Sequence, residues 1–189
     1  MTSIKTIPVT VSELSGQYVI DPAHTRIGFV ARHAMVTKVR GAFNEFEGSG
    51  VIDGTDFTKS TGQLTIQAAS IDTRNAQRDA HLRSNDFLAM EKYSEITFIA
   101  TDVRQTGATT LELTGDLTIR GVTNSVTIPF EFEGAATDPF GNLRVGFEGS
   151  TVINRKDYGI TWNAALESGG VLVSDKITLE FEVSAIKTA

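Results

Sequence analysis

Apolar and polar residues alternate along most of this chain. Ile27, Phe29, Ala31 and His33 share one parity, as do Leu64, Ile66 and Ala68, then Ile96, Phe98 and Ala100, then Leu111, Leu113, Gly115, Leu117 and Ile119. The pattern resumes at Val126, Ile128, Phe130 and Phe132, at Val145, Phe147 and Gly149, and at Ile177, Leu179, Phe181 and Val183. Positions between them, such as Glu112, Thr114, Asp116, Glu131 and Glu180, are polar. A period of two puts the apolar set on one face of a strand, so the sheet is dry on one side and wet on the other. That is an antiparallel sheet closed into a barrel or folded into a sandwich. Turn signals at Asp53-Gly54, Gly107, Gly121, residues 138–142 and Gly169-Gly170 divide it into about eight to ten strands.

One segment breaks the alternation. Residues 75–88 read as a short polar helix with Asn75 as N-cap, which places Arg78, His81 and Leu82 on one face at i, i+3 and i+4 spacing. Asp79 and Arg83 lie four apart and are expected to pair, a contact worth about 0.3–0.5 kcal/mol if exposed. Such a helix either caps the end of a barrel, with His81 hydrogen-bonded in the packing, or offers a cation and a titratable ring to a ligand.

Ala31, Ala68, Ala100, Gly115 and Gly149 put a small residue into otherwise bulky inward series. At one height they would leave a lumen; otherwise they fit the barrel's taper. Eleven phenylalanines against three tyrosines and one tryptophan predict apolar walls. Phe43 and Phe46 flank Asn44-Glu45, where a bulge is expected. His33 and Arg155 have inward parity, and a buried arginine needs a partner, for which Asp157 two residues on is the candidate.

At 189 residues without a linker-like break, the chain is read as one domain over residues 1–189, with 1–15 a loosely held N-terminal extension. It has no cysteine, which excludes disulfides and thiolate catalysis. The formal charge of −6 argues against broad attraction to nucleic acid or anionic membrane; an anionic ligand would need a local cluster of cations. No secretory signal and no transmembrane segment is read, so a cytoplasmic location is expected.

Ordered blocks resemble the YceI-like family of lipocalin-like, polyisoprenoid-binding proteins. They are Asp21-Pro22-Ala-His24-Thr25-Arg-Ile-Gly-Phe29 with His33, Gly41-Ala-Phe43, Ser70-Ile71-Asp-Thr73, Arg78-Asp79-Ala-His81-Leu82 with Asp86-Phe87, Tyr93-Ser-Glu-Ile96-Thr-Phe98, residues 117–123, and Arg155-Lys-Asp157-Tyr-Gly159-Ile160. Thr25, Ser94 and Tyr158 depart from the family's frequent serine, proline and phenylalanine. The resemblance implies an all-β, extended antiparallel lipocalin-like β-barrel of about eight strands, with the helix near one end, enclosing a polyisoprenoid or related lipid.

On that reading Phe29, Phe43, Phe46, Ile66, Leu82, Phe87, Phe98 and Leu113 contact the chain of the lipid, and His33, Arg78, His81, Arg155 and Asp157 form the polar mouth. Arginine suits a phosphate head group through its bidentate fork. The bound lipid is the one ligand expected, with no metal or other cofactor, in a monomer or homodimer. The alternatives are an enzyme acting on a hydrophobic isoprenoid-like substrate and a stress-related protein-interaction module. For the enzyme, His24, His33 and His81 lack paired metal-ligand spacing, and no Gly-x-Ser-x-Gly is present.

Overall fold

The structure, a computed structural model, describes residues 11–189. Its strands are β1 (Gly16–Ile20), β2 (Arg26–His33), β3 (Thr37–Phe43), β4 (Phe46–Ile52), β5 (Thr61–Gln67), β6 (Ile71–Asp72), β7 (Glu95–Gln105), β8 (Thr110–Ile119), β9 (Val122–Thr137), β10 (Leu143–Asn154) and β11 (Lys176–Lys187), with one helix, α1 (Ala76–Arg83). All neighbours are antiparallel. The order β1-β4-β5-β7-β8-β9-β10-β11 closes on itself through β1 and β11, which makes an eight-stranded barrel.

Two interruptions lengthen it. β1 and β2 follow one another along β11, which pairs with β1 at residues 185–187 and with β2 at 178–182. Between them Pro22 removes a ladder N–H, and the Asp21 side chain accepts from Ala23 N to start a short 3₁₀ turn. β3 and β4 lie end to end beside them, separated at Asn44-Glu45, where the expected bulge is instead a strand break bridged by Asn44 N to Ser70 O and Gln67 N to Glu45 O. The register shifts fall elsewhere, between Ala100 and Asp102 and between Gly146 and Phe147. β8 and β9 meet in the two-residue turn Arg120-Gly121, with φ of 51° and 73°. Both residues are left-handed, the turn whose twist matches that of the strands.

Residues 11–14 form a 3₁₀ turn, and Leu14 is buried with Tyr18, Val145 and Ala185 at one end of the barrel; residues 1–10 of the expected extension lie outside the described residues. The helix closes the other end. Asn75 Oδ1 accepts from Arg78 N, as an N-cap should. Asp79 and Arg83 do not pair. Asp79 is buried and accepts from Thr73 N and Oγ1 at 2.9 and 2.5 Å, while Arg83 donates to Ala69 O and Ile71 O. Both reach back to the segment 69–73 that precedes the helix.

On the outer wall Arg144 joins the β1–β2 kink to the β9–β10 turn, with Nη1 2.6 Å from Asp21 and Nε 2.8 Å from Asp138. Hydrogen bonds from Arg144 and then His24 hold the Asp21 carboxyl down to about 2, and the Asn142 backbone N–H, opposed by desolvation and aided by Arg144, does the same for Asp138. Folded values below the unfolded carboxylate's value of about 3.9 mean that their stabilisation is present above about pH 4 and lost as pH falls through about 2. Denaturant midpoints should therefore fall across that window, and more shallowly in Arg144→Gln. Parallel profiles would show that the latch does not couple to folding.

Candidate ligand cavity

The inward face encloses a cavity of about 380 Å³, within the roughly 300–1,000 Å³ of small-molecule sites. β11 lines it with Ile177, Leu179, Phe181, Val183 and Ala185. Five alternate positions cover about 26 Å of strand, or roughly 20 Å along the axis of a barrel with tilted strands. The cavity runs from Tyr18, Val145 and Phe147 to Leu82, Phe87 and Tyr158 beneath α1. No histidine or carboxylate is among the described residues that line it.

Its width depends on pairs of glycine and phenylalanine. The Phe29 ring occupies the space a Cβ on Gly41 would need, directly across from it in register. Phe98 does the same at Gly115, and Phe130 at Gly149, where a Cβ would lie 2.6 Å from the ring. The rings lean against the wall over glycine instead of standing into the lumen, an arrangement known to support glycines in sheets. Gly115 and Gly149 therefore accommodate rings and are not themselves open space. Real space lies at Gly62, where a Cβ would meet only Ala100 Cβ at 3.9 Å. Gly50 pairs with Gly62, and Ala100 pairs with Gly115, so small residues of β4, β5, β7 and β8 form one row. Of the other small residues, Ala31 lines the cavity, while Ala68 is fully buried in the 3₁₀ turn after β5.

Among the residues singled out from the sequence, Phe29, Phe43, Ile66, Leu82, Phe87, Phe98, Leu113 and Arg155 line the cavity. His33, Phe46, Arg78, His81 and Asp157 are not part of its wall. His33 is exposed at the end of β2, and Phe46 packs into the core beside the break. Arg78 spends its guanidinium on Thr73, with Nε 2.8 Å from Oγ1 and Nη2 2.7 Å from O. His81 Nε2 lies 2.8 Å from Asp86 Oδ2, and its ring meets Trp162 and Phe87 edge-on at 4.7 and 5.0 Å. Trp162 was not singled out from the sequence; its being the only tryptophan was the available signal.

Arg155 is not on a strand. It opens a 3₁₀ turn, Arg155–Tyr158, so Asp157 does not share its face and is exposed. The guanidinium is 3 % exposed and donates to Ser174 O, Ile160 O and Trp162 O, each at 2.9 Å, with Val173 O at 3.4 Å. The nearest carboxylate is Asp175 at 3.7 Å. Burial pushes its pKa down, with Asp175 opposing. Arg155 thus ties the segment 160–174 across the barrel end, its donors committed to carbonyls.

Beside it, the Tyr158 hydroxyl is buried and makes no hydrogen bond within the described residues. The neighbouring Asn124 amide donates to Asp157 O. Burial pushes the phenol up, the Asn124 side chain, near the hydroxyl but outside hydrogen-bond geometry, pulls it down, and the Asp157 charge adds to the rise.

The model of the YceI-like domain matches residues 18–185. The chain belongs to the YceI-like family. A UPF0312 protein of Staphylococcus epidermidis is 40 % identical over 166 residues, covering 87 % of this chain and 93 % of the relative. Burkholderia cenocepacia BcnA superposes with a TM-score of 0.77 at 22 % identity, over 87 % of this chain and 98 % of its own. A polyisoprenoid binding domain from Saccharophagus degradans, implicated in plant cell wall breakdown, superposes with a TM-score of 0.69 at 16 % identity, over 90 % of this chain and 98 % of its own. These last two likenesses concern the fold, a lipocalin-like antiparallel barrel with one short helix.

Two predictions follow from the walls of this YceI-like barrel. Gly115→Leu should lower the unfolding free energy by about 1–3 kcal/mol, since its Cβ meets Phe98 and lies 2.5 Å from Ile99 O, whereas Gly62→Leu should stay within about 1 kcal/mol of wild type. Urea titrations of the two variants check this; equal losses would mean that no open space exists at Gly62. Tyr158→Phe should raise the melting temperature of ligand-free protein by a few degrees, because it removes a buried donor whose unmet desolvation costs about 1–3 kcal/mol. A lowered melting temperature would reveal a hydrogen bond at that hydroxyl.

Proposed function

We propose that this protein binds a long-chain isoprenoid or similar amphiphilic lipid in its barrel lumen, as a carrier, store or sensor and not as an enzyme. The observation that carries the reading is the long apolar cavity, among whose described lining residues there is no carboxylate or imidazole of the kind acid–base chemistry would need. The Saccharophagus degradans domain of the same fold, described as polyisoprenoid binding, supports the same class of ligand. Each isoprene unit buried gains roughly 3–4 kcal/mol gross at about 0.8 kcal/mol per CH₂, so a few units overcome the cost of ordering the chain.

The polar end of the ligand is assigned to the α1 side, where the buried Tyr158 hydroxyl has no hydrogen-bond partner among the described residues. Arg78 and Arg155, with donors committed to Thr73 and to backbone carbonyls, are poor partners for a phosphate. The expected head group is therefore a neutral hydrogen-bonding one.

Calorimetric titration with isoprenoid alcohols of increasing length tests the reading. Affinity should rise with each unit until the cavity is filled and then level off, and Gly62→Leu should bring the plateau to shorter chains. Failure of every length to bind delipidated protein would sink it. A phosphorylated isoprenoid binding much more tightly than its alcohol would return the arginines to the head-group site.

A further inference from the structure

The tip of the β2–β3 hairpin combines three features that each cost free energy in water. Its loop, residues 34–36, holds Ala34 and Met35 at φ of 51° and 64°, a left-handed backbone that residues with a Cβ rarely adopt. Met35 and Val36 are 64 % and 74 % exposed, so the strained loop presents an apolar pair to solvent. Behind them Arg32 and Lys38 stand directly opposite one another in register, both exposed, and like charges in that position repel. Neither has an ion pair among the described residues, whereas Arg26 and Arg40 further down the hairpin share Glu180.

The charge is local and runs against the whole. The chain carries a net −6, yet residues 22–44 contain four basic residues and no Asp or Glu. Lys176 opens the adjacent strand β11, and the loop 159–175 that runs beside the hairpin carries two carboxylates, Glu167 and Asp175, of which Asp175 faces Arg155 and Lys156. That loop is held to it by Ala34 N to Leu172 O and Ser174 N to Arg32 O, and Met35 sits against Gly170. The same loop supplies the carbonyls that Arg155 grips at the end of the cavity. The tip therefore stands at the α1 end of the barrel, next to the segment that covers the lumen.

We infer that this hairpin docks the protein on an anionic lipid bilayer, with Met35 and Val36 entering the headgroup region while Arg32 and Lys38 meet lipid phosphates. An anionic surface relieves the repulsion between the two cations, and the interface takes the apolar pair out of water. The inference rests on the proposed lipid-binding function only for its purpose, the exchange of an amphiphile with a membrane.

Flotation with vesicles tests it. Wild type should float with vesicles of phosphatidylglycerol and phosphatidylcholine in equal parts, less at high salt, and not with phosphatidylcholine alone. Arg32→Gln and Lys38→Gln should each reduce partitioning roughly fivefold. Met35→Asn, which suits a left-handed backbone, combined with Val36→Thr should also release the protein. All variants should bind an apolar fluorescent probe in solution as wild type does. Equal flotation of wild type and variants, or of wild type with both vesicle types, overturns the docking. Charge- and tip-dependent flotation without probe binding sustains the docking and sinks the lipid-cavity reading instead.

Discussion

Closing eight strands brings their inward side chains together, and what remains at the axis depends on where each ring is allowed to go. Here three phenylalanines, Phe29, Phe98 and Phe130, lean over Gly41, Gly115 and Gly149 on the neighbouring strand. Without those glycines the rings would have to stand toward the axis, and an interior of this size would fill. The free volume beside Gly62 and Ala100, and with it the room for a chain-like ligand, depends on this contact. It also separates two kinds of glycine that look alike in an alternating series: those beneath a ring, where a side chain clashes, and Gly62, where a side chain enters free volume.

Charged groups are kept out of that interior by being committed elsewhere. Arg78 and Asp79 anchor α1 to Thr73, Arg83 grips two carbonyls, and Arg120 Nη1 donates to Phe87 O from the tip of the β8–β9 turn. Arg155, the one cation among the described residues that line the cavity, is solvated mainly by backbone carbonyls, with the Asp175 carboxylate 3.7 Å away. Burying it costs less than burying an unpartnered charge, and the hydrogen bonds fix a long irregular segment over the barrel end. The result is a lumen whose described wall is almost wholly apolar.

Period-two alternation made most of the barrel legible: Ile27 and Phe29, Ile66, Phe98 and Leu113 do face inward, and Asn75 caps the helix. Parity failed where the chain leaves the extended conformation. Arg155 keeps its inward direction, but Asp157 lies in a 3₁₀ turn and points away, because the alternation rule holds only while the strand continues. Helical spacing grouped Arg78 with His81 and Leu82, yet only Leu82 reaches the lumen, since Arg78 turns to Thr73 and His81 to Asp86, partners that spacing does not encode. The division of the small residues between ring supports and open space depended on cross-strand contacts, direct at Gly41 and Gly149 and diagonal at Gly115, between strands whose register was unknown.

The central claim is that the lumen holds an amphiphilic lipid. Native mass spectrometry of the purified protein, followed by organic extraction and mass analysis of the extract, measures this most directly. The account predicts a bound species of defined mass with a long apolar chain and an uncharged head group, lost on extraction and diminished in Gly62→Leu. A protein that carries nothing after gentle isolation, and takes up no isoprenoid when one is supplied, would contradict it.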